Sequence, residues 1–223
     1  MEVSVVVPTR DRPDSLHETL RCLMQAGRDG LRAEVVVVDN SVGETAEPVV
    51  HGLRGSMELR YLHEPRQGVY GKSHALNCAL EAGGLGDLVA VLDDDMSVES
   101  GWLQGVVAIS RRWSQCDIFS GHTYPIWPDM PLPEWASHPV LQGWLFSVQG
   151  SRRGDVPLAS GQWFLGGHFW FRSRVLAGNR RFEDTWFTEP YFMLDLVADG
   201  YRGVRGPDAV AGHRIQPGLL DPA

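Results

Sequence analysis

The chain has 223 residues, of which 43% are hydrophobic, enough to build a substantial core in one domain or two small ones. Its 20 Lys and Arg against 28 Asp and Glu give a formal net charge of -8, which repels a nucleic-acid backbone, so no nucleic-acid partner is expected. The three cysteines, Cys22, Cys78 and Cys116, form no CxxC pair. Neither a disulfide framework nor a thiolate zinc site is therefore expected.

The N-terminus and the hydrophobic segments give no sign of export or membrane insertion. The chain enters a strand-like run at residue 3 without a basic leader, and no apolar segment approaches the roughly 18 residues that span a bilayer. We therefore expect a cytoplasmic protein without a transmembrane segment. A homodimer is compatible with the sequence, which does not determine the oligomeric state.

Strand and helix patterns alternate through the first 100 residues. The β-branched runs VSVVV (3–7) and EVVVV (34–38) are too continuous for half-exposed strands and are typical of a sheet covered on both faces. Between them, Leu16, Leu20 and Leu23 have helical spacing. The alternation continues with a strand at 57–64, a helix at 72–83 and a strand at 87–93. This order predicts right-handed crossovers and a parallel sheet.

Beyond residue 100 the pattern is less regular. A stretch rich in Pro and Trp, at 127–139, cannot hold regular structure for long and is interpreted as a surface loop or lid. A later helix is predicted with Thr188 as its N-cap, Pro190 near its first turn and Gly200 after its end. The other expected elements are a helix at 102–113 and strands at 166–175 and 206–215.

Three consecutive carboxylates, Asp93, Asp94 and Asp95, follow the fourth predicted strand. Ligands of an open α/β sheet bind at the carboxyl ends of its strands. Two carboxylates about 4 Å apart repel by roughly 4 kcal/mol at an effective dielectric near 20, a cost that a divalent cation removes. A solvated turn or a helix N-cap is the simpler alternative. The same edge should carry PTRDR and DNS after the first two strands, where Arg10 and Arg12 supply cations for a diphosphate.

Four segments together resemble the family 2 glycosyltransferases of the GT-A fold. They are SVVVPTRDRPDSLHETLRCL, EVVVVDNS, GKSHALNCAL and VAVLDDDM, which occur in this order over residues 3 to about 100. The resemblance implies one Rossmann-like α/β domain over 1–223, with a mostly parallel central sheet flanked by helices. Residues 1–100 would form its nucleotide-binding half and residues 101–223 an irregular acceptor-binding half. The implied enzyme is a hexosyltransferase-type glycosyltransferase that uses a nucleoside-diphosphate sugar and inverts the sugar carbon.

The resemblance also implies which residues hold the donor, a UDP-, GDP- or dTDP-sugar. Asp39 would accept a hydrogen bond from the base, and Asp93 would hold ribose or sugar hydroxyls. The full set expected to bind the nucleotide sugar is Pro8, Thr9, Arg10, Arg12, Asp39, Lys72, Asp93 and Asp94.

Two further residues would bind Mn²⁺ or Mg²⁺ by the same resemblance. Asp95 is the last Asp of a DxD-type motif, although a run of three leaves open whether Asp94 or Asp95 touches the metal. His213 falls where the family often has a metal-binding histidine, although a lone histidine is more often structural.

The catalytic base is where this sequence departs from the family pattern. Family members usually take the base from an Asp in an ED pair that opens a helix, and the spacing to Gly200 places Glu189 and Pro190 there. Three alternatives follow for the catalytic base. The first is that Glu189 acts as the base, the second is that Asp184 supplies it from a shifted loop, and the third is that ordinary activity has been lost. Glu189 has an equally good structural interpretation, in which it is only an acidic residue that the helix macrodipole favours at the N-terminus of a helix.

The segment LGGHFWFR (165–172) resembles the acceptor side of the family, where small residues let a sugar approach the backbone. The residues expected to contact the acceptor are Trp163, Gly166, Gly167 and His168. The acceptor would be a small molecule, although a lipid-linked one is compatible with the sequence.

Two alternative functions remain. A catalytically impaired nucleotide-sugar binding protein is motivated by Pro190. A sugar-phosphate nucleotidyltransferase is disfavoured, because no glycine-rich phosphate loop follows the first strand.

Overall fold

The computed structural model describes residues 1–53, 55, 57–149, 154–159 and 161–221. One mixed sheet runs through this part of the chain, in the order β3 (Glu58–His63), β2 (Arg32–Asp39), β1 (Glu2–Thr9), β4 (Leu88–Leu92), β8 (His168–Arg172), β6 (Ile118–Ile126), β9 (Gly203–Arg214) and β5 (Met96–Val98), with a short β7 (Val156–Pro157) paired to β9. The strands β3, β2, β1 and β4 are all parallel, as the alternating pattern predicts. Antiparallel β8 then continues the sheet beside β4. The predicted mixed α/β fold is confirmed.

The elements of the first half match the predicted ones to within a few residues. They are β1 (Glu2–Thr9), α1 (Pro13–Gln25), β2 (Arg32–Asp39), α2 (Glu47–Gly52), β3 (Glu58–His63), α3 (Lys72–Ala82) and β4 (Leu88–Leu92). Only the one-and-a-half-turn helix α2 has no counterpart in the predicted set. The carboxyl ends of β1 and β2 are in register, with Thr9 opposite Asp39, so the polar segments after them meet at one edge.

The second half contains more elements than the sequence pattern predicts. They are β5 (Met96–Val98), α4 (Trp102–Arg112), β6 (Ile118–Ile126), α5 (Pro139–Phe146), β7 (Val156–Pro157), β8 (His168–Arg172), α6 (Thr188–Ala198) and β9 (Gly203–Arg214). Short 3-10 helices occupy Glu134–Ser137, Ser173–Leu176 and Pro217–Leu219. Strand β9 pairs in parallel with β6 and in antiparallel orientation with β5, which places His213 beside the acidic turn after β4.

Helices cover both faces of the sheet. On one face, Val5 and Val7 of β1 pack with α1 and α4, while on the other face Val6 packs with α3 and α6. This explains the continuous apolar runs, because every side chain of such a strand is buried. In β8, Phe169 and Phe171 belong to one core and Trp170 to the other.

The start of α6 and the Pro- and Trp-rich stretch differ in part from the predictions. Thr188 is not an N-cap: α6 already begins at Thr188, the capping position belongs to Phe187, and the Thr188 hydroxyl donates to the Glu183 carbonyl. The Pro- and Trp-rich stretch 127–139 does contain little regular structure, but it is docked on the molecule. Trp127 and Trp135 pack on the buried ring of Phe146, beside Ile215.

None of the helices in the described part of the chain is long and apolar enough to cross a membrane.

Candidate active site

A pocket of about 420 Å³ opens at the carboxyl edge of the parallel strands. Its size is within the usual range of small-molecule sites. The ends of β1, β2 and β4 and the start of α3 form its wall, together with two exposed rings, Tyr70 and Trp186, whose centroids are 5.1 Å apart. The lining residues are Pro8, Thr9, Arg10, Arg12, Asn40, Val69, Tyr70, Lys72, Ala75, Asp93 and Trp186.

Asp94 points into the protein and joins β1 to the acidic turn. It is fully buried, accepts a 2.6 Å hydrogen bond from the Thr9 hydroxyl, and its other oxygen lies 2.5 Å from the Arg12 guanidinium. Its backbone carbonyl accepts from the hydroxyls of Ser15 and Thr19 on α1. Burial, which outweighs the opposing charge of Arg12, raises the pKa of Asp94 to about 7. Through these contacts, Asp94 holds the acidic turn against β1 and α1.

Asp95 instead faces His213. Asp95 Oδ1 lies 3.4 Å from His213 Nε2 and has no hydrogen-bond partner among the described residues. The other ring nitrogen of His213, Nδ1, donates to the Phe146 carbonyl at 2.6 Å, which leaves Nε2 facing the carboxylate. Although burial opposes the charge, Asp95 raises the pKa of His213, so the two side chains pair as ions. A divalent cation would take the place of the Nε2 proton between the same two atoms. Although burial acts in the opposite direction, His213 and Arg12 hold the pKa of Asp95 below its ordinary value, which favours the ionised carboxylate.

The pair Asp95 and His213 fits a divalent cation. The described part of the chain gathers no group of three or more His, Cys, Asp or Glu around a metal position. Mg²⁺ and Mn²⁺ sites that act on phosphates need no such cage, because one or two protein ligands suffice when phosphates and water complete the shell. Asp94 Oδ1 and Asp95 Oδ1 are both buried without a hydrogen bond, but the Asp94 oxygen is paired with Arg12 at 2.5 Å, whereas the Asp95 oxygen faces His213. The Asp95 oxygen is therefore the one that such an ion would satisfy.

Lys72 connects the pocket to a buried carboxylate on α6. Its amine lies 2.5 Å from Asp93 Oδ1 and also forms an ion pair with Glu189. Although burial opposes its charge, the two carboxylates raise the pKa of Lys72, which therefore stays protonated. Glu189 is 6% exposed and lies in the first turn of α6. Asp93, Lys72 and Glu189 thus form one charged row that starts in the pocket wall.

Gly166 and Gly167 lie directly against this row. A Cβ on Gly166 would come 2.7 Å from Glu189 Oε1, and one on Gly167 would come 2.5 Å from Asp93 Oδ2. Gly167 also has a φ of +82°, which favours glycine. A side chain at either position would collide with one of these carboxylates. Glycine therefore lets the backbone pack directly on Glu189 and Asp93.

Asp184 lies away from the charged row and holds a loop in place. It accepts hydrogen bonds from the Val69 N–H at 2.9 Å and from the Ser73 hydroxyl at 3.0 Å, which tie the segment before α6 to the pocket wall. These hydrogen bonds, first of all the one from Val69, lower the pKa of Asp184 and make it a weaker base. Of the two candidate bases, Glu189 is the one that pairs with Lys72, the amine that also contacts Asp93.

Asp39 is fully buried beneath the pocket. Its oxygens accept from the backbone N–H groups of Ser41 and Ala46 at 2.9 and 2.7 Å and from the Tyr61 hydroxyl at 3.2 Å. It therefore shapes the loop after β2, and the neighbouring Asn40 takes the place in the pocket wall where Asp39 was expected.

The prediction that His168 contacts an acceptor is wrong in this structure, because its ring is fully buried in the core. His168 Nε2 accepts from Trp102 Nε1 at 2.8 Å, so Nδ1 carries the proton and donates to the Thr123 hydroxyl at 3.0 Å. Of the other expected acceptor residues, Trp163 lines a second cavity and Gly166 and Gly167 lie at the charged row.

The burial of His168 predicts a loss of stability on acidification. Burial lowers the pKa of His168 to about 3, whereas an unfolded histidine titrates near 6.5. At this residue the unfolded chain therefore binds one more proton than the folded chain between these values, so the contribution of His168 to stability falls by about 1.4 kcal/mol per pH unit below about pH 6.5. Asp94, whose pKa burial raises to about 7, contributes the opposite slope in this range. Urea unfolding between about pH 7 and about pH 5 therefore measures the His168 contribution as the difference between the wild type and a His168 variant.

The matched variants are His168→Gln and His17→Gln, the latter at an exposed position on α1. We expect the stability gained per pH unit between about pH 5 and about pH 7 to be greater by about 1.4 kcal/mol in the wild type than in His168→Gln, and the same in the wild type and His17→Gln. Equal slopes for the wild type and His168→Gln would contradict the assignment.

Several pocket residues were missed by the sequence-based reasoning. They are Asn40, Val69, Tyr70, Ala75 and Trp186. Asn40 follows Asp39 directly, and Tyr70 and Val69 precede the helix start GKSHALN, so proximity to the quoted motifs was an available signal. Trp186 reaches the pocket only through the long-range contacts of Asp184, which no local pattern reveals.

A family model described as glycosyl transferase family 2 matches residues 4–178 of the chain. Among curated proteins, the succinoglycan biosynthesis protein ExoM of Rhizobium meliloti (strain 1021) is 31% identical over 158 residues, which cover 65% of this chain and 50% of ExoM. An uncharacterized protein, y4gI, of Sinorhizobium fredii (strain NBRC 101917 / NGR234) is 34% identical over 113 residues, 49% of this chain and 12% of y4gI. The chain thus spans half or less of these relatives.

Solved structures share the fold at low sequence identity. The mannosyltransferase PcManGT from Pyrobaculum calidifontis, in complex with GDP-Man and Mn²⁺, superposes with a TM-score of 0.69 at 21% identity, over 97% of this chain and 57% of the other. S. aureus TarS 1-349 in complex with UDP-GlcNAc gives a TM-score of 0.71 at 16% identity, over 100% of this chain and 61% of TarS. This chain has the GT-A fold of these glycosyltransferases.

Proposed function

Since the chain belongs to glycosyl transferase family 2, we propose that it is a metal-dependent glycosyltransferase that moves a sugar from a nucleoside diphosphate to an acceptor hydroxyl. One observation carries the proposal. The charged row Asp93, Lys72 and Glu189 begins in the wall of the 420 Å³ pocket and ends at a buried carboxylate beside Gly166. A donor in the pocket would thus have a base within reach of its sugar.

The nucleoside would occupy the pocket between the end of β1 and the rings of Tyr70 and Trp186. Aromatic faces stack on bases, and Arg10, whose side chain is half exposed, is available to a phosphate. Two structures with the same fold were solved with GDP-Man and with UDP-GlcNAc. They support a nucleoside-diphosphate sugar as the donor but do not identify its base. Asp93 in the wall would accept hydrogen bonds from sugar or ribose hydroxyls.

Asp95 and His213 would hold the divalent cation. The facing Asp95 Oδ1 and His213 Nε2 atoms, the lack of a hydrogen bond at that Asp95 oxygen and the Mn²⁺ in the PcManGT complex all support this assignment. A bound Mg²⁺ or Mn²⁺ would supply Lewis-acid stabilisation of the charge that develops on the leaving diphosphate. Arg12, which pairs with both Asp94 and Asp95, fixes the turn that presents Asp95.

Glu189 would act as the base in a single displacement with inversion. It takes the proton of the acceptor hydroxyl, the hydroxyl oxygen forms a bond to the anomeric carbon, and the bond from that carbon to the diphosphate oxygen breaks. The nucleoside diphosphate leaves with the electron pair of that bond. Lys72 keeps the Glu189 carboxylate in position, and the lack of a side chain at Gly166 lets the backbone pack directly against that carboxylate.

The acceptor is proposed to be a carbohydrate. The name of the Rhizobium relative refers to succinoglycan biosynthesis, and the chain covers half of that protein. A free saccharide and a lipid-linked one would present the same hydroxyl to Glu189.

A panel of nucleoside diphosphates tests this proposal. UDP, GDP and dTDP, each with and without Mn²⁺, are added to the protein, and the shift in Tm is measured. We expect the nucleotide of one base to stabilise the protein only in the presence of Mn²⁺, because a bound metal would hold the diphosphate at Asp95 and His213. No metal-dependent shift with any nucleotide would contradict the proposal. A shift without hydrolysis of the corresponding nucleotide sugar would instead favour the catalytically impaired binding protein.

A further inference from the structure

A second cavity, of about 520 Å³, lies on the acceptor side of the molecule, between α5, β7, β9 and the segment that leads into β8. It shares no lining residue with the nucleotide pocket. Its wall includes Trp144, Trp163, Leu165 and Arg205.

The two tryptophans give this cavity faces on which a saccharide can stack. Their ring centroids are 6.4 Å apart and their planes are inclined by 73°, so they present two differently oriented apolar surfaces to one space. Trp144 is 61% exposed, although large apolar side chains are normally buried. The apolar faces of pyranose rings pack well on such rings.

Arg205 adds a positive charge that the protein does not neutralise. It is half buried, and in the described part of the chain no carboxylate pairs with it, while burial lowers its pKa. The residues outside that part, at 54, 56, 150–153, 160, 222 and 223, include no Asp or Glu. A partly desolvated guanidinium gains most from a carboxylate or phosphate, which it binds through two parallel hydrogen bonds.

Leu165 connects the cavity to the charged row. Its backbone N–H donates to the side chain of buried Gln149 at 2.9 Å, and the amide of the same side chain donates to the Leu165 carbonyl at 3.2 Å. The next residue, Gly166, packs on Glu189. Only the backbone of Leu165 and Gly166, held in place by Gln149, thus separates a molecule in the second cavity from the proposed base.

We propose that the second cavity is a subsite for an anionic saccharide, with Trp144 and Trp163 stacking on its sugar rings and Arg205 pairing with its carboxylate or phosphate. The proposal rests on the proposed function, which it deepens by giving the acceptor a negative charge remote from the reacting hydroxyl. The net charge of -8 opposes any anion at long range, so the pairing with Arg205 must supply the selectivity.

The test measures binding by tryptophan fluorescence with four probes. These are digalacturonate, its neutral dimethyl ester, galactose 6-phosphate and galactose. We expect digalacturonate to bind about tenfold more tightly than the ester, because a charged hydrogen-bonded pair is lost in the ester. Tighter binding of galactose 6-phosphate than of galactose would show that the subsite also accepts a phosphate as the source of the charge.

Arg205→Gln and Arg202→Gln form the matched pair of variants, since Arg202 is exposed and does not line the cavity. Arg205→Gln should abolish the preference for the acid, whereas Arg202→Gln should keep it. Trp144→Ala should weaken binding of acid and ester alike. Equal binding of acid and ester to the wild type, no binding of any probe, or equal losses in both arginine variants would overturn the proposal.

The nucleotide panel separates this proposal from the proposed function. If the Mn²⁺-dependent nucleotide shift is present and digalacturonate does not bind, the anionic subsite is wrong and the glycosyltransferase proposal stands. If digalacturonate binds through Arg205 and no nucleotide shifts the Tm, the cavity binds saccharides but is not an acceptor subsite, which overturns the inference as stated.

Discussion

Replacing Asp95 by asparagine is expected to remove the metal dependence of transfer and to lower kcat/KM by about 10³-fold. Asp95 supplies the buried oxygen that accepts no hydrogen bond and faces His213, and an amide cannot replace a carboxylate as an anionic ligand. A metal that stabilises a leaving diphosphate is worth several kcal/mol, of which about 4 kcal/mol correspond to this factor. The measurement is the initial rate of transfer, or of donor hydrolysis, as a function of Mn²⁺ concentration.

Asp94→Asn is the matched control, since it alters the neighbouring carboxylate of the same turn. Asp94 is occupied by Thr9 and Arg12, so this variant should lose stability and keep its response to Mn²⁺. If Asp94→Asn lost the response and Asp95→Asn kept it, the assignment of the two carboxylates would be reversed.

Replacing Glu189 by glutamine is expected to lower the rate of transfer by about 10² to 10⁴-fold and to leave nucleotide affinity nearly unchanged. General base catalysis usually contributes a factor of this size, and glutamine keeps the shape of the side chain without its basicity. Glu189 does not line the nucleotide pocket, which explains why donor binding should survive. Single-turnover rates and the Tm shift with the nucleotide measure the two quantities separately.

Asp184→Asn is the control for this prediction. Asp184 holds the Val69 loop against α3, so its variant should weaken nucleotide binding more than it slows the bound complex. A large loss of the single-turnover rate in Asp184→Asn, together with a small loss in Glu189→Gln, would identify Asp184 as the base instead.

The parallel half of the fold could be predicted because its strands are buried on both faces. Continuous runs such as VVVP and EVVVV leave little choice of structure, and the helices between them carry clear apolar stripes. The short elements α2, β5 and β7 have too few residues for a periodic pattern. Helix α5 follows a Pro-rich stretch and is apolar on most sides, so no amphipathic stripe reveals it.

The site could be predicted only in part, for a related reason. The motifs placed Thr9, Lys72 and Asp93 at one edge, and the structure brings them together in the pocket wall. The facing of Asp95 and His213 depends on the pairing of β5 with β9, which distant residues determine. His168 was misassigned although a signal existed. Strand alternation puts it on the same face as Trp170, which is buried.

The burial of Asp39 and the loop contacts of Asp184 had no local signal. Both carboxylates accept hydrogen bonds from backbone N–H groups, and the side-chain direction that allows this depends on how the surrounding loops fold. A residue type and a position in a motif therefore could not distinguish a ligand-binding carboxylate from a loop-stabilising one.

Anomalous diffraction from a crystal of the protein grown with Mn²⁺ and the stabilising nucleoside diphosphate tests the central claim most directly. We predict a manganese peak in contact with both Asp95 and His213, with the diphosphate bound to the same ion. Nucleotide bound in the pocket while Asp95 and His213 still face each other with no ion between them would contradict it.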